Sequence, residues 1–252
     1  MVINHNISAL NTNRQMAMNA SATSKAMEKL SSGLAINRAA DNAAGLSISE
    51  KMRSQIRGLE QGVRNAQDGV SFIQTAEGAL TEVSDMLVRL KELMVQDSSG
   101  TYNDSDKDNI AAEVGELTTQ IGNIFTNTKF NDIAVFTTGA TIAMGEKGTD
   151  TLDIADVTAI TVGADATGID ANIDLVNTMR ATYGAQQNRL EHAINNYNTT
   201  AQNLTSAESR IRDVDMAKEM TNYTKDNILL QAAQSMLAQA NSQPQNVLQL
   251  LR

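Results

Sequence analysis

Cysteine and tryptophan are absent from this chain of 252 residues, and proline occurs once, at Pro244. Without cysteine there is neither a disulfide framework nor a thiolate metal site. With one proline, helices run almost unpunctuated, because proline is the residue that most often breaks them. Aromatic residues are scarce, four Phe and four Tyr. Compact cores draw much of their buried area from aromatics, so the composition suits thin helical packing. Positive charge is in deficit, 20 Lys and Arg against 29 Asp and Glu. Binding to nucleic acid needs a basic footprint, which excludes it as a partner. No run of about 20 apolar residues exists, so no membrane span is expected. The first residues lack the basic region and apolar core of a secretory signal; a route out of the cell would have to be a different one.

Charge is missing locally as well. Residues 227–251 contain no Asp, Glu, Lys or Arg, and residues 1–24 contain only Arg14. Soluble helices normally carry charge on the outer face; here that face holds Asn, Gln, Ser and Thr. The apolar positions are nevertheless ordered. Ile228, Leu229, Ala232, Ala233, Met236, Leu237 and Ala240 recur at helical spacing. At the other end Ile7, Leu10 and Met18, then Met27, Leu30 and Leu34, form a looser stripe. Neither end can bury its stripe alone. Both are expected to be loose in isolation and to order against each other and against neighbouring copies of the chain.

Between the ends the helical signal is strong. Met52, Ile56, Leu59, Val63, Ala66, Val70, Ile73, Ala76, Leu80, Val83, Leu87, Leu90 and Met94 follow 4-3 spacing, with two successive threes at Val70, Ile73 and Ala76. A helix over about 43–95 would be roughly 80 Å long, which predicts an elongated architecture. A second helix is expected over 106–125, with Ser105 as N-cap, and a third from about Asn172 to Ile211. The three would share one seam. Residues 130–162 are rich in β-branched side chains around a turn at Gly145–Gly148, which predicts a β-hairpin. Lying halfway along the chain, the hairpin is expected to cap the far end of the rod. Its surroundings are acidic: Glu146, Asp150, Asp153, Asp156, Asp165, Asp170 and Asp174 have only Lys147 among them. The expected fold class is therefore mainly α, an elongated bundle of long coiled-coil-like helices with a small mid-chain hairpin region.

Little in the chain suggests chemistry. The two histidines, His5 and His192, are far apart in sequence, so a zinc site or a histidine-based triad is not expected. Asp104, Asp106 and Asp108 resemble the opening of a calcium loop, but Asn109 and Gly115 stand where Gly and Glu are required. The run reads instead as carboxylates placed at a helix N-terminus. No glycine-rich phosphate loop is present. No catalytic residue, metal site or cofactor is expected.

The two ends carry a resemblance. Residues 3–10 (INHNISAL), 30–37 (LSSGLAIN), 38–41 (RAAD) and 43–46 (AAGL) are similar to the N-terminal region of the bacterial flagellins. Ser209, Arg210, Ile211, Asp213 and Asp215, then residues 236–241 (MLAQAN) and 244–251, resemble the C-terminal region of the same family. The whole chain resembles a minimal flagellin in which variable outer domains are absent. The resemblance implies that residues 1–42 and 213–252 pair as terminal helices in the inner core of a filament. Residues 43–212 would then form the rod domain, with the hairpin region at about 130–162.

The assembly residues so implied are Ile3, Ile7, Leu10, Met18, Leu30, Leu34, Ile228, Leu229, Met236, Leu237, Val247, Leu248 and Leu251. Family membership also implies a homopolymer, export through the flagellar type III apparatus with a secretion chaperone, contacts with hook-junction and cap proteins, and a secreted, extracellular location. Recognition by the innate receptor TLR5 is implied for Arg89 and Leu93, with Gln120 where the family usually has glutamate. A hook–filament junction protein shares such ends, and a coiled-coil signalling hairpin shares the long helices. These two stand as alternatives.

Overall fold

The computed structural model describes the backbone of residues 6–154 and 166–250, and the side chains of these apart from 166–167 and 244–250. Among the described residues the order is α1 (Ile7–Ser32), α2 (Ala43–Asp97), α3 (Asp104–Asn127), β1 (Lys129–Phe130), β2 (Ile133–Ala134), β3 (Ala140–Met144), β4 (Asp150–Ile154), α4 (Ala166–Arg212) and α5 (Met216–Leu250). The fold is mainly α, with two small antiparallel hairpins among the described residues. The chain divides into two compact units, Ser54–Asn203 and the combined termini Met1–Arg53 with Leu204–Arg252.

The unit Ser54–Asn203 is built on α2, whose apolar stripe supplies the core. Ala66, Ile73, Ala76, Leu80, Val83, Leu87 and Leu90 are all fully buried. The same core takes Ile121 and Phe125 from α3 and Ile169, Val176, Met179, Tyr183 and Leu190 from α4. Both partner helices run antiparallel to α2 within this unit. Arg89 pairs with Glu113 of α3 at 3.0 Å, and Lys91 pairs with Asp170 of α4 at 2.6 Å. The two successive threes in the stripe have a packing consequence: Phe72 turns inward beside Ile73 and meets Phe130 edge-on, with ring centroids 5.8 Å apart. Phe125 and Phe136 form a second ring contact at 4.9 Å. All four phenylalanines of the chain thus meet in pairs around this core.

The hairpin β3–β4 pairs Ala140 with Ile154 through Met144 with Asp150, as the turn residues predict. Its position differs from the expected one. Instead of capping the far end of a rod, it lies along α2. A Cβ placed on Gly58 would come within 2.4 Å of the Glu146 carbonyl oxygen, and one on Gly62 within 2.9 Å of the Gly145 nitrogen. Gly69 faces Ile142 and Leu190 in the same way. Positions 58, 62 and 69 fall on one helical face, where the missing side chains let the hairpin backbone approach. The far end of α2 is occupied by the turn into α3, so the mid-chain strands fold back along the helix. Asn65 donates to the Ala143 carbonyl (2.8 Å) and Tyr197 of α4 donates to Asp150 (2.7 Å), which ties the hairpin on both sides. The acidic residues of this region accordingly have partners beyond Lys147: Asp153 accepts from Thr141, and Asp170 pairs with Lys91. Residues 155–162 of the expected hairpin region, and Asp156 and Asp165, lie outside the described residues.

Two helix starts also differ from expectation. The N-cap of α3 is Asn103, not Ser105. Asn103 accepts from the Asp106 amide (2.8 Å) and Asp106 reaches back to the Asn103 amide, a reciprocal capping box. Ser105 sits inside the first turn, where its backbone is already helical. Helix α4 begins at Ala166 rather than near Asn172, the start passing through Gly168, which reads as a breaker when context is ignored.

Candidate self-assembly surface

The terminal unit is organised by its connectors. Helix α1 ends on Gly33, whose left-handed conformation (φ 72°) turns the chain away. Immediately beyond, the Ala35 amide donates to the Arg212 carbonyl (2.7 Å) and the Val214 amide donates to the Gly33 carbonyl (3.1 Å). Leu34 and Asp213 thus form an antiparallel bridge. Asp215 then caps α5 by accepting from the Ala217 and Lys218 amides.

At the opposite end Asn6 does two things. Its side-chain oxygen accepts from the Ala9 amide (3.1 Å) as N-cap of α1, and its amide donates to the Ala240 carbonyl of α5 (2.8 Å). The two helices are therefore antiparallel partners, fastened at both ends.

The 33–42 connector is held by charge. The Asp41 carboxylate accepts from the Arg38 and Asn37 amides, and these bonds hold its pKa below the ordinary carboxylate value. Arg38 donates to Glu28 at 2.8 Å. Glu50 of α2 accepts from Arg212 at 2.6 Å, and that hydrogen bond lowers its pKa.

Pairing buries little. Among the described side chains Ala26 is buried on α1 and Ala233 on α5, while Leu30, Leu34 and Leu237 are half-buried. The larger apolar residues remain outside. Leu10 is 70% exposed, Ile7 66%, Ile228 and Met236 61%, and Met18 58%. Leu229 is exposed as well, and it lines with Ala233 and Met236 a shallow groove whose other wall is Asn11, Arg14 and Asn19. At about 25 cal/mol per Å² of apolar surface removed from water, such a surface favours association strongly, and the near absence of charge leaves little repulsion between identical copies.

Of the expected assembly residues, Ile7, Leu10, Met18, Ile228, Leu229 and Met236 are thus exposed on one helix pair, and Leu30, Leu34 and Leu237 lie at its seam. Ile3 and Leu251 lie outside the described residues; Val247 and Leu248 fall on α5, but their side chains do too. Sequence reasoning placed Ala233 on the α5 stripe, where it is buried, but missed Asn6 and the burial of Ala26. Asn6 stands three residues before the Ala9 amide, an N-cap spacing that was legible. The exposed Met216 and Met220 of α5 lie just outside the charge-free stretch and were missed for that reason.

The expected receptor-contact residues have mixed placements. Arg89 is exposed and paired with Glu113 and Glu92, and Gln120 is exposed. Leu93 is only 1% exposed and belongs to the core of α2. Leu93 lies three residues after the buried Leu90, so its side chain falls on the covered face of α2 and not on the surface expected for a receptor contact. His192 is exposed, and among the described residues no group of three metal-ligating side chains gathers. Among them, too, no helix is long and apolar enough to cross a membrane.

Known proteins resemble this chain along most of its length. The bacterial flagellin N-terminal helical region matches residues 3–141, and the bacterial flagellin C-terminal helical region matches residues 166–251. Flagellin of Bacillus subtilis is 48% identical, and flagellin of Halalkalibacterium halodurans 49%, each aligned over the full length of both chains. A flagellar filament 31.3 kDa core protein of Treponema maltophilum is 43% identical, again over the full length of both. The crystal structure of Bacillus cereus flagellin matches with a TM-score of 0.50 and 30% identity, covering 57% of this chain and 94% of that one.

Proposed function

The chain belongs to the bacterial flagellin family, and from that membership we propose that it is a structural subunit which polymerises with copies of itself into the extracellular filament of the bacterial flagellum. The observation that carries this is the terminal helix pair. It is fastened at both ends, yet it leaves Ile7, Leu10, Ile228 and Met236 outside. A chain that aligns these helices and cannot cover them needs other copies to do so. The protein acts by assembly, not by catalysis. Its role in the polymer is to fix neighbours in register through the ends while the unit Ser54–Asn203 supplies a stiff, self-contained body.

Further partners follow from the family. Delivery through the flagellar type III export apparatus, with a secretion chaperone holding the C-terminal segment, suits α5, whose apolar side chains are exposed before assembly. Hook-junction and cap proteins would meet the same terminal helices. Recognition by TLR5 would use Arg89 and Gln120 on the outer face, with Leu93 supporting them from within. The boundaries proposed for the terminal helices remain residues 1–42 and 213–252.

Removing residues 227–252 tests the central reading. The truncated chain is expected to keep a strongly helical far-ultraviolet circular dichroism spectrum and to form no filaments visible by electron microscopy. Filaments from that truncation would overturn it.

A further inference from the structure

With no cysteine and no tryptophan in the chain, methionine is its principal oxidisable side chain, and there are 12 of them. They fall into two environments. In the unit Ser54–Asn203, Met144 is 1% and Met179 9% exposed, and Met86 and Met94 are half-buried against the same core. On the terminal helices, Met18, Met27, Met216, Met220 and Met236 are between 48% and 61% exposed. Every described methionine with that much exposure lies on α1 or α5. Their arrangement matters too. Met18 and Met27 are separated by nine positions, about half a turn around the helix axis, so no single neighbour can cover both. Covering all five requires the chain to be surrounded.

We propose that these five methionines form an oxidation-sensitive checkpoint on assembly, open to hydroperoxides in the free chain and closed to them in the polymer. The inference rests on the reading that α1 and α5 are polymer surfaces. The chemistry is an oxygen transfer. The methionine Sδ lone pair attacks one peroxide oxygen, an S–O bond forms and the O–O bond breaks. Sulfur is oxidised by two electrons, and the peroxide is reduced and leaves as water after proton transfer. The sulfoxide replaces a soft apolar group by a strongly hydrated polar one. Burying it at a subunit contact costs its hydration unless a donor is in place. An oxidised chain therefore enters the polymer less readily than an untreated one.

The test treats free chain and assembled filaments with hydrogen peroxide and locates sulfoxide by peptide mass spectrometry. In the free chain the five terminal methionines are expected to oxidise first, at least about tenfold faster than Met144 and Met179. In filaments their rates are expected to fall to the level of those core residues. The oxidised chain is expected to need a concentration about tenfold higher to polymerise. A variant carrying Met→Leu at all five positions is expected to polymerise equally well before and after peroxide, whereas Met144→Leu with Met179→Leu gives no protection.

The checkpoint is overturned if oxidised chain polymerises like untreated chain, or if filament and free chain oxidise alike at the five sites. Should the five-site variant not assemble, the free-chain and filament rates decide alone. Should untreated full-length chain not polymerise at all, the structural reading itself fails and the checkpoint with it.

Discussion

Helices α2 and α5 are both long and both carry an ordered apolar pattern, yet they dispose of it differently. On α2, Leu80, Val83, Leu87 and Leu90 are fully buried by partners from the same chain. On α5, only Ala233 among the described side chains is buried, and Ile228 and Met236 are 61% exposed. An apolar stripe on a helix therefore says that something will cover it, not that the same chain will. The two stripes also differ in their surroundings: α2 carries charged residues beside its stripe, and residues 227–251 of α5 carry none.

The largest expected effects separate these two roles. Leu87→Ala removes a fully buried side chain from the core and should cost about 2–5 kcal/mol of unfolding free energy, read by denaturant titration of the unassembled chain. Ile228→Ala should change that free energy by less than about 0.5 kcal/mol but should raise the concentration needed for polymerisation, read by sedimentation. The contrast breaks if both substitutions unfold the free chain to the same degree, since α5 would then be covered by its own chain.

Glycine on α2 sharpens the comparison at the level of single atoms. Gly78 has nothing within 4 Å of where a Cβ would lie, whereas at Gly58 that atom meets the Glu146 carbonyl oxygen at 2.4 Å. Alanine improves intrinsic helix propensity by about 1 kcal/mol at either position. Gly78→Ala should therefore stabilise by up to about 1 kcal/mol, and Gly58→Ala should destabilise by about 1–3 kcal/mol because the hairpin backbone must retreat. Thermal melts of the two variants should move in opposite directions. Equal upward shifts would mean that the hairpin does not rest on this face.

These glycines also mark where the sequence ceased to be legible. The 4-3 spacing from Leu59 to Leu90 announces α2 and its buried face, since large apolar residues report their own burial. Gly58, Gly62 and Gly69 report nothing by themselves: what they contribute is the absence of a side chain, and that has meaning only once the hairpin is beside them. The turn at Gly145–Gly148 was readable because its residues act locally; the side of the molecule on which the hairpin lies was not, because long-range packing decides it. The capping of α3 lay between these cases. Asn103 and Asp106 carry the reciprocal spacing, but Ser105 competes as a cap in any reading that weighs residue type before geometry. The terminal surface was the most legible part of all. It is defined by what is missing, charge, and no tertiary contact is needed to see that. The exposure of the methionines was legible only in part: Met18, Met27 and Met236 stand on the charge-poor stripes, whereas Met216 and Met220 do not.

A smaller effect is expected where the hairpin is tied to α4. Tyr197 donates to Asp150 at 2.7 Å, and burial together with that bond pushes its pKa up to about 12. Tyr197→Phe should cost about 1 kcal/mol. The folded pKa lies above the ordinary tyrosine value of about 10, so the contribution is fully present below pH 10 and is lost as pH rises toward 12. Wild-type chain should lose stability over that alkaline window and the Phe variant should lose less, read by chemical denaturation at stepped pH. Because the residue belongs to the self-contained unit, filament formation at neutral pH should be untouched.

The smallest effect belongs to the connector of the terminal unit. Asp41 is held below the ordinary carboxylate range by the Arg38 and Asn37 amides, and Glu50 by its hydrogen bond from Arg212. A depressed folded pKa means stabilisation present above the ordinary carboxylate value of about 4 and lost as pH falls through the lowered folded value. Both carboxylates are exposed, so solvent and salt weaken the effect. Amide exchange should locate it. On acidification the amides of Ala35 and Asp41, which donate to Arg212 and Arg38, should lose protection before those of Leu80 to Leu90 in the core of α2. Asp41→Asn with Glu50→Gln should abolish that acid step and leave the order of protection otherwise unchanged. If the core of α2 opens first in the wild-type chain, the terminal unit is the more robust of the two, and the division between a self-sufficient body and ends completed by neighbours is drawn the wrong way round.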